Sequence, residues 1–274
     1  MDRRTVIAVH GASGRMGQAI LHILFARADV TPVAALVRGE SLLVGTSLAR
    51  GFGDVAADVM YTTALSVGAL PDVLVDFSLP AAFDNALGCA LQRKIAFVSG
   101  TTGLDARQQD ALARASESIP VLWSANFSLG VALLSRLAAQ AARALPDWDC
   151  EIAEAHHSAK KDAPSGTALA LGREVAAARA QDFDDVGRLS RTGEDAQRVP
   201  GEIGFAVTRA GDIVGEHNVM FATRGERIEL VHRATDRDVF ARGAVTAARW
   251  IAGRAAGRYS LCDVLAGPAG AEHA

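Results

Sequence analysis

Along the first half of the chain the apolar residues come in short unbroken runs, and the stretches between them repeat apolar positions every three or four residues. Residues 5–10 (TVIAVH), 30–37 (VTPVAALV), 73–77 (VLVDF), 95–99 (IAFVS) and 121–124 (VLWS) have the length of buried strands, and most are rich in β-branched residues. After the first run, Met16, Ile20, Ile23 and Leu24 share one helical face, and helices are expected again over 81–92 and 106–116. Strands alternating with helices need crossovers, and crossovers build a parallel sheet covered on both faces. The pattern predicts a doubly wound α/β domain with its ligand at the carboxyl ends of the strands.

The rhythm changes after residue 126. Residues 129–144 make one alanine-rich helical run, 150–155 (CEIAEA) alternate as a half-buried strand does, and 168–179 return to helical spacing. Strand-like pieces at 203–209, 213–215, 218–223 and 227–234 are separated by glycine and charged turns. They predict a mainly antiparallel sheet and so a second domain of α+β class. Residues 181–201 are polar and read as a loop, and a helix over 240–256 is expected to return to the first domain.

Composition narrows the function classes. The chain has 274 residues, half of them hydrophobic, enough for a large core without covalent staples. A formal net charge of -3 supplies no basic field for nucleic acid or an anionic membrane surface, so a small-molecule partner is expected. The apolar run at the start is too short for a signal-peptide core, and no run reaches the ~18 residues of a membrane span. These features predict a cytoplasmic protein. Cys89, Cys150 and Cys262 are odd in number and widely spaced, which points to neither a disulfide framework nor a zinc site, and no metal is expected.

Two stretches carry candidate chemistry. The first is GASGRMG, which follows the first strand and opens the first helix. Against the dinucleotide fingerprint, Ala12 takes the place of the first glycine, while Gly14 and Gly17 match the second and third. Gly14 lets the backbone approach a pyrophosphate, Gly17 lets the helix pack on the strand, and the helix start offers N–H groups and a positive dipole end. The alternative is a plain tight turn. At the end of the second strand, where an NAD enzyme carries an acid, stands Arg38, which favours the 2′-phosphate of NADPH over NADH; the plain alternative is an arginine capping the sheet edge in solvent.

The second stretch is EAHHSAKKDAPSGTA, residues 154–168. Lys94, Lys160 and Lys161 are the only lysines of the chain, so a lysine pair beside two histidines suggests a proton-donating ammonium rather than a surface charge. Strand alternation puts Ile152, Glu154 and His156 on one face and points the adjacent histidines to opposite sides, which disfavours a shared metal. Pro164 or Ser165 is expected to start a helix, with Gly166 and Thr167 presenting N–H groups to a carboxylate. The plain alternative is a strand end followed by a solvated loop.

In chain order, VIAVHGASGRMG, VDFSLP, VSGTTG, SANFSLGV, EIAEAHHSAKKDAPSGTALALG and RAGDIVGEHNVMF resemble the 4-hydroxy-tetrahydrodipicolinate reductases, or dihydrodipicolinate reductases, of bacterial diaminopimelate and lysine synthesis. The likeness runs almost end to end, and EAHHxxKxDAPSGTA is its most specific part. It implies a Rossmann-type domain over residues 1–127, completed by a C-terminal helix within 240–274, that binds NADPH or NADH. It also implies a substrate-binding and oligomerisation domain on a mixed sheet over 128–239, and a homotetramer assembled through that sheet. The implied reaction reduces a cyclic dicarboxylate, the product of dihydrodipicolinate synthase, to tetrahydrodipicolinate. By motif, His156 is the general acid/base, Lys160 the proton donor, and His157, Gly166 and Thr167 hold substrate carboxylates. Cofactor contacts fall to Gly11, Ala12, Ser13, Gly14, Arg15, Met16, Arg38, Gly100, Thr101, Thr102, Ser124, Ala125, Asn126 and Phe127. The chain departs from many members at Val37, where an acid precedes the arginine, and at Ser124, where alanine stands; the first weighs against dual use of NADH. A different two-domain dehydrogenase would have no need of the histidine–lysine segment, and a dinucleotide-holding sensor would need an effector surface such as a basic DNA-binding cluster, which the sequence does not show.

Overall fold

The solid apolar runs of the first half become strands buried on both faces, as runs without alternation must. The computed structural model describes residues 3–66, 68, 70–194 and 196–266, which fall into two compact units, one within Met1–Phe127 and Asp238–Ala274 and the other within Ser128–Arg237. In chain order the first unit contains β1 (Thr5–His10), α1 (Arg15–Phe25), β2 (Val30–Leu36), α2 (Ala49–Phe52), a 3-10 turn, β3 (Tyr61–Thr62), β4 (Val73–Asp76), α3 (Pro80–Arg93), β5 (Ala96–Ser99), α4 (Ala106–Ser116) and β6 (Pro120–Trp123). The second contains α5 (Leu129–Ala144), β7 (Asp149–His156), α6 (Gly166–Ala178), α7 (Phe183–Val186), β8 (Gly187–Arg188), β9 (Ile203–Arg209), β10 (Gly215–Thr223) and β11 (Glu226–Ala234). The chain then returns to the first unit as α8 (Asp238–Ile251), β12 (Gly257–Tyr259) and α9 (Leu261–Leu265).

The first unit is built on a parallel sheet in the order β12-β6-β5-β4-β1-β2-β3. The order reverses between β1 and β4, the switch point at which such sheets open a crevice. On one face Ala8, Leu74, Phe97 and Val121 pack with Phe83 and Leu112 of α3 and α4. On the other, α8 lies against α1, β4, β5 and β6 through Ala241, Gly243, Ala244, Ala248 and Ile251. The helix expected over 240–256 ends at Ile251, followed by Gly253 at φ +77°, and the chain then adds β12 and α9; residues 267–274 of the expected C-terminal segment lie outside the described residues.

The second unit has the sheet order β11-β10-β7-β9-β8. β10 is antiparallel to β7 and β11, whereas β9 runs parallel to β7 and β8, so the sheet is mixed rather than mainly antiparallel. Alternation along one strand cannot distinguish these, because both pairings have period two. Helices α5 and α6 cover one face through Leu134, Ala138, Leu171 and Val175, which meet Cys150, Ile152, Phe205, Val219 and Phe221. Of the expected strand at 213–215 only Gly215 is in a strand, as the first residue of β10, and the loop expected over 181–201 contains α7 and β8. The three cysteines are free, and burial pushes the Cys150 thiol up to about 12, which keeps it inert.

Gly243 shows how close α8 sits. A Cβ at this position would collide with the carbonyl oxygen of Phe127, a backbone atom that cannot swing away. Gly243→Ala is therefore expected to cost about 1–3 kcal/mol despite alanine's better helix propensity. Urea denaturation would check this, and a variant as stable as the parent would mean the helix can slide away.

Candidate active site

In the first unit the parallel register brings four groups of sequence-predicted residues to the carboxyl edge of one sheet. Gly11 to Met16 follow β1, Arg38 follows β2, Gly100 to Thr102 follow β5, and Ser124 to Phe127 follow β6. Gly11 has φ +76°, and a Cβ there would lie 2.5 Å from the Phe77 carbonyl oxygen; a Cβ on Gly17 would strike Gly11 and Ala12. Both glycines are thus needed for packing. Gly14 caps α1 without any side-chain hydrogen bond, and Ser13, Gly14 and Arg15 are exposed. An exposed helix start whose cap offers no side-chain acceptor fits a dinucleotide pyrophosphate. Arg38 is 73% exposed, 3.5 Å from the equally exposed Glu40. Ala12, Thr101 and Phe127 are buried, and Phe127 packs on Phe77 at 5.2 Å, so these three can offer a ligand only backbone.

A buried carboxylate organises this edge. Asp76, fully buried at the end of β4, accepts hydrogen bonds from Ser99 Oγ (2.9 Å), Thr101 Oγ1 (2.8 Å) and the Ser78 amide (3.2 Å), and pairs with His10 Nδ1 at 2.8 Å. Burial pushes its pKa up, but His10, Ser78 and Thr101 outweigh that and hold it below the usual carboxylate range. It ties together the turns after β1, β4 and β5.

The second unit does the same with Glu154. Alternation along β7 faces Cys150, Ile152, Glu154 and His156 inward, and Glu154 is 2% exposed. Its carboxylate pairs with His156 Nδ1 at 2.6 Å, accepts from both terminal nitrogens of Arg209 at 2.8 Å each, and accepts from the Ser165 amide at 2.9 Å. Because β9 runs parallel to β7, its last residue, Arg209, lies opposite His156. Ser165 is the N-cap of α6, its Oγ accepting from the Ala168 amide, so of the two expected helix starts the serine is the one observed. The sequence-predicted Gly166 and Thr167 are the first residues of that helix. His157 and Lys160 close a turn in which the Lys160 amide donates to the His157 carbonyl at 3.1 Å. The Lys160 ammonium pairs with Asp162 at 2.8 Å. Hence His156, His157, Lys160, Gly166 and Thr167 share one end of the unit.

The electrostatics follow from these partners. Burial would raise the Glu154 pKa, yet Arg209, His156 and the Ser165 amide together hold it below its ordinary value. His156 is pushed down, first by burial and then by the cations Lys160 and Arg209, with Glu154 opposing. The imidazole is therefore neutral near pH 7, its Nδ1 proton is directed at Glu154, and Nε2 is left for a ligand.

Several site residues escaped the sequence reading. Asp76 and Glu154 had a signal, an acid on the buried face of an apolar strand. Arg209 lies in RAGDIVGEHNVMF, one of the stretches that carry the resemblance, but nothing local gave it a role, because its position depends on strand register. His217 and His232 come from β10 and β11: the His217 ring lies edge-on to His156 at 5.2 Å, and His232 lies 6.5 Å beyond. Among the described residues no cluster of His, Cys, Asp and Glu could hold a metal, and no helix is long and apolar enough to cross a membrane.

Comparison with known proteins gives one answer across the chain. Residues 5–127 match the family model "Dihydrodipicolinate reductase, N-terminus", and residues 130–265 match "Dihydrodipicolinate reductase, C-terminus". A 4-hydroxy-tetrahydrodipicolinate reductase of Stenotrophomonas maltophilia (strain K279a) is 46% identical over 94% of this chain and 97% of its own length. One from Pseudoalteromonas atlantica is 43% identical over 94% and 98%. Among solved structures, a dipicolinate-bound dihydrodipicolinate reductase from Paenisporosarcina sp. TG-14 shares the fold with TM-score 0.73, at 22% identity over 94% of this chain and 97% of that one.

The Glu154 geometry makes a prediction of definite sign. Glu154→Gln removes the group that raises the His156 pKa, so the His156 midpoint in an NMR titration should fall further. The variant should also lose roughly 3 kcal/mol of stability at neutral pH, since Arg209 keeps its place without its partner. A carboxylate with a depressed folded pKa stabilises above its ordinary range and stops doing so as pH falls through the folded value. The stability gap between parent and variant should accordingly shrink on acidification; a constant gap, or an unmoved His156 midpoint, would contradict this account of Glu154.

Proposed function

The chain belongs to the dihydrodipicolinate reductase family and reduces 4-hydroxy-tetrahydrodipicolinate to tetrahydrodipicolinate with a pyridine nucleotide, and we propose that His156 and Lys160 manage the proton of that reduction. The observation that carries the assignment is the set of hydrogen bonds on Glu154, which orients His156 and fixes the start of α6 from one buried carboxylate. The first unit is the dinucleotide-binding domain and the second the substrate domain. The conversion takes up one hydride and one proton and expels the ring hydroxyl as water.

The reduced nucleotide, when bound, supplies the hydride. Gly11 to Met16 would hold its pyrophosphate, Gly100 to Thr102 and Ser124 to Phe127 would line it with backbone, and Arg38 would meet a 2′-phosphate, favouring NADPH over NADH. The substrate is a ring dicarboxylate. His157 and the amides of Gly166 and Thr167 orient its carboxylates at the positive end of α6. Lys160 supplies the proton as negative charge builds on the ring. His156 exposes Nε2 as a hydrogen-bond acceptor, and a dianion beside it would raise its proton affinity. The free enzyme thus holds this imidazole neutral, and the complex makes it a stronger base that takes up a proton more readily. A biosynthetic reductase of this kind acts in the cytoplasm, and the face of the second sheet opposite α5 and α6, with exposed Ala153 and Ala206, is the surface through which a homotetramer would form.

Two kinetic outcomes are expected. Lys160→Met should lower kcat by roughly 10²- to 10⁴-fold while NADPH affinity, measured by fluorescence titration, stays unchanged; full turnover would remove Lys160 from the mechanism. Arg38→Ala should raise KM for NADPH more than KM for NADH, and equal increases would reject the 2′-phosphate role.

A further inference from the structure

We infer that His217 is a positioning residue for the reduction: one imidazole nitrogen holds the cap of the helix that orients the substrate carboxylates, and its ring holds His156. The inference rests on the reading that His156 and the start of α6 form the reducing site. His217 lies on β10 opposite Glu154 of β7 and is 3% exposed. Its Nε2 is 3.4 Å from Ser165 Oγ, and its ring meets His156 at 5.2 Å and 76°, the edge-to-face arrangement that aromatic rings favour.

Ser165 Oγ accepts the Ala168 amide proton as a helix cap and retains its own proton, here assigned to the bond with His217 Nε2, with the histidine proton on Nδ1. Nδ1 is buried with no protein hydrogen-bond partner among the described residues. Packing alone gives no reason for an imidazole here, since a phenyl ring would fill similar space without burying a polar N–H. Burial pushes the His217 pKa down to about 4; His156, His232 and Lys160 act in the same direction and Glu154 opposes them. The ring is neutral at working pH. It therefore orients its neighbours without adding a third cation to Lys160 and Arg209 beside His156, and it is not an acid/base group.

The two contacts are separable. His217→Phe keeps a ring against His156 and removes the acceptor for Ser165, whereas His217→Gln keeps an acceptor near the Nε2 position and removes the ring. Steady-state kinetics on the full-length enzyme, with the cyclic substrate generated by its synthase and with NADPH, should show crossed effects. His217→Phe should raise KM for the dicarboxylate by about tenfold, the loss of one hydrogen bond's worth of orientation, with kcat near the parent value. His217→Gln should restore that KM while lowering kcat several-fold, and KM for NADPH should stay put in both. Parent-like constants in either variant, or kcat and KM shifting in parallel in both, would overturn the inference, since parallel loss is what damaged folding gives. If His217→Phe does not fold, Ser165→Ala removes the same hydrogen bond together with the cap bond to Ala168 and should raise the dicarboxylate KM alone, further than His217→Gln does; no change would overturn the link to α6. Lys160→Met serves as the reference. Parent-like turnover there means the site itself is misplaced, whereas collapsed turnover there with unaffected His217 variants means only the present inference fails.

Discussion

The chemistry of the second unit hangs on the carboxylate of Glu154. An ionised carboxylate has about four acceptor sites, and Glu154 uses four partners: His156, two nitrogens of Arg209 and the Ser165 amide. A buried charge is tolerable only when it is paired and hydrogen-bonded in this way, and its depressed pKa reflects that it is. The partners come from the end of β7, the end of β9 and the start of α6, so one side chain fixes three elements. The mixed sheet topology is part of the same requirement. Were β9 antiparallel to β7, residue 209 would emerge at the opposite end of the sheet and Glu154 would lose the cation that keeps it ionised.

Asp76 repeats the device in the first unit. It too is a buried acid near the carboxyl end of a central strand, it too is paired with a histidine Nδ1, and its remaining acceptor capacity goes to hydroxyl and amide donors of neighbouring turns. Both acids hold backbone segments that end at a helix start or a glycine turn. In such places a shift of even an ångström in an amide matters, because orientation of bound groups carries much of the catalytic free energy. The buried acids therefore hold these turns in place, while Arg38 and Gly14 in one unit and Gly166 in the other stay exposed, as the ligand roles proposed for them require.

Most of this fold was legible from period alone. Unbroken runs at 5–10, 73–77 and 95–99 became buried parallel strands, and glycine between strand and helix marked the switch-point turn. Where the reading failed, the missing information was non-local. Parallel and antiparallel neighbours impose the same alternation on 203–209, so the mixed sheet could not be told from an antiparallel one. Tyr61–Thr62 is a two-residue strand that exists because it pairs with the end of β2, which no local window can report. The site divides in the same way. His156, Lys160 and the helix start lie within one short segment and could be picked out together, whereas Arg209, His217 and His232 reach that segment only through strand register.

The contrast between the cations of the second unit bears on why a chain so poor in lysine has Lys160 here. Arg209 meets Glu154 with two parallel hydrogen bonds, a rigid and largely buried pair that would be costly to open. Lys160 instead pairs with Asp162, whose side chain is 57% exposed, and a pair in contact with water contributes little. An ammonium can leave such a partner for a substrate anion at small cost, on a flexible stem and with a proton it is able to give up. A guanidinium in its place would stay charged throughout and would prefer to remain forked on the aspartate. The charge on Arg209 is thus fixed and the charge on Lys160 labile, a difference that supports the proton-donating role proposed for the lysine.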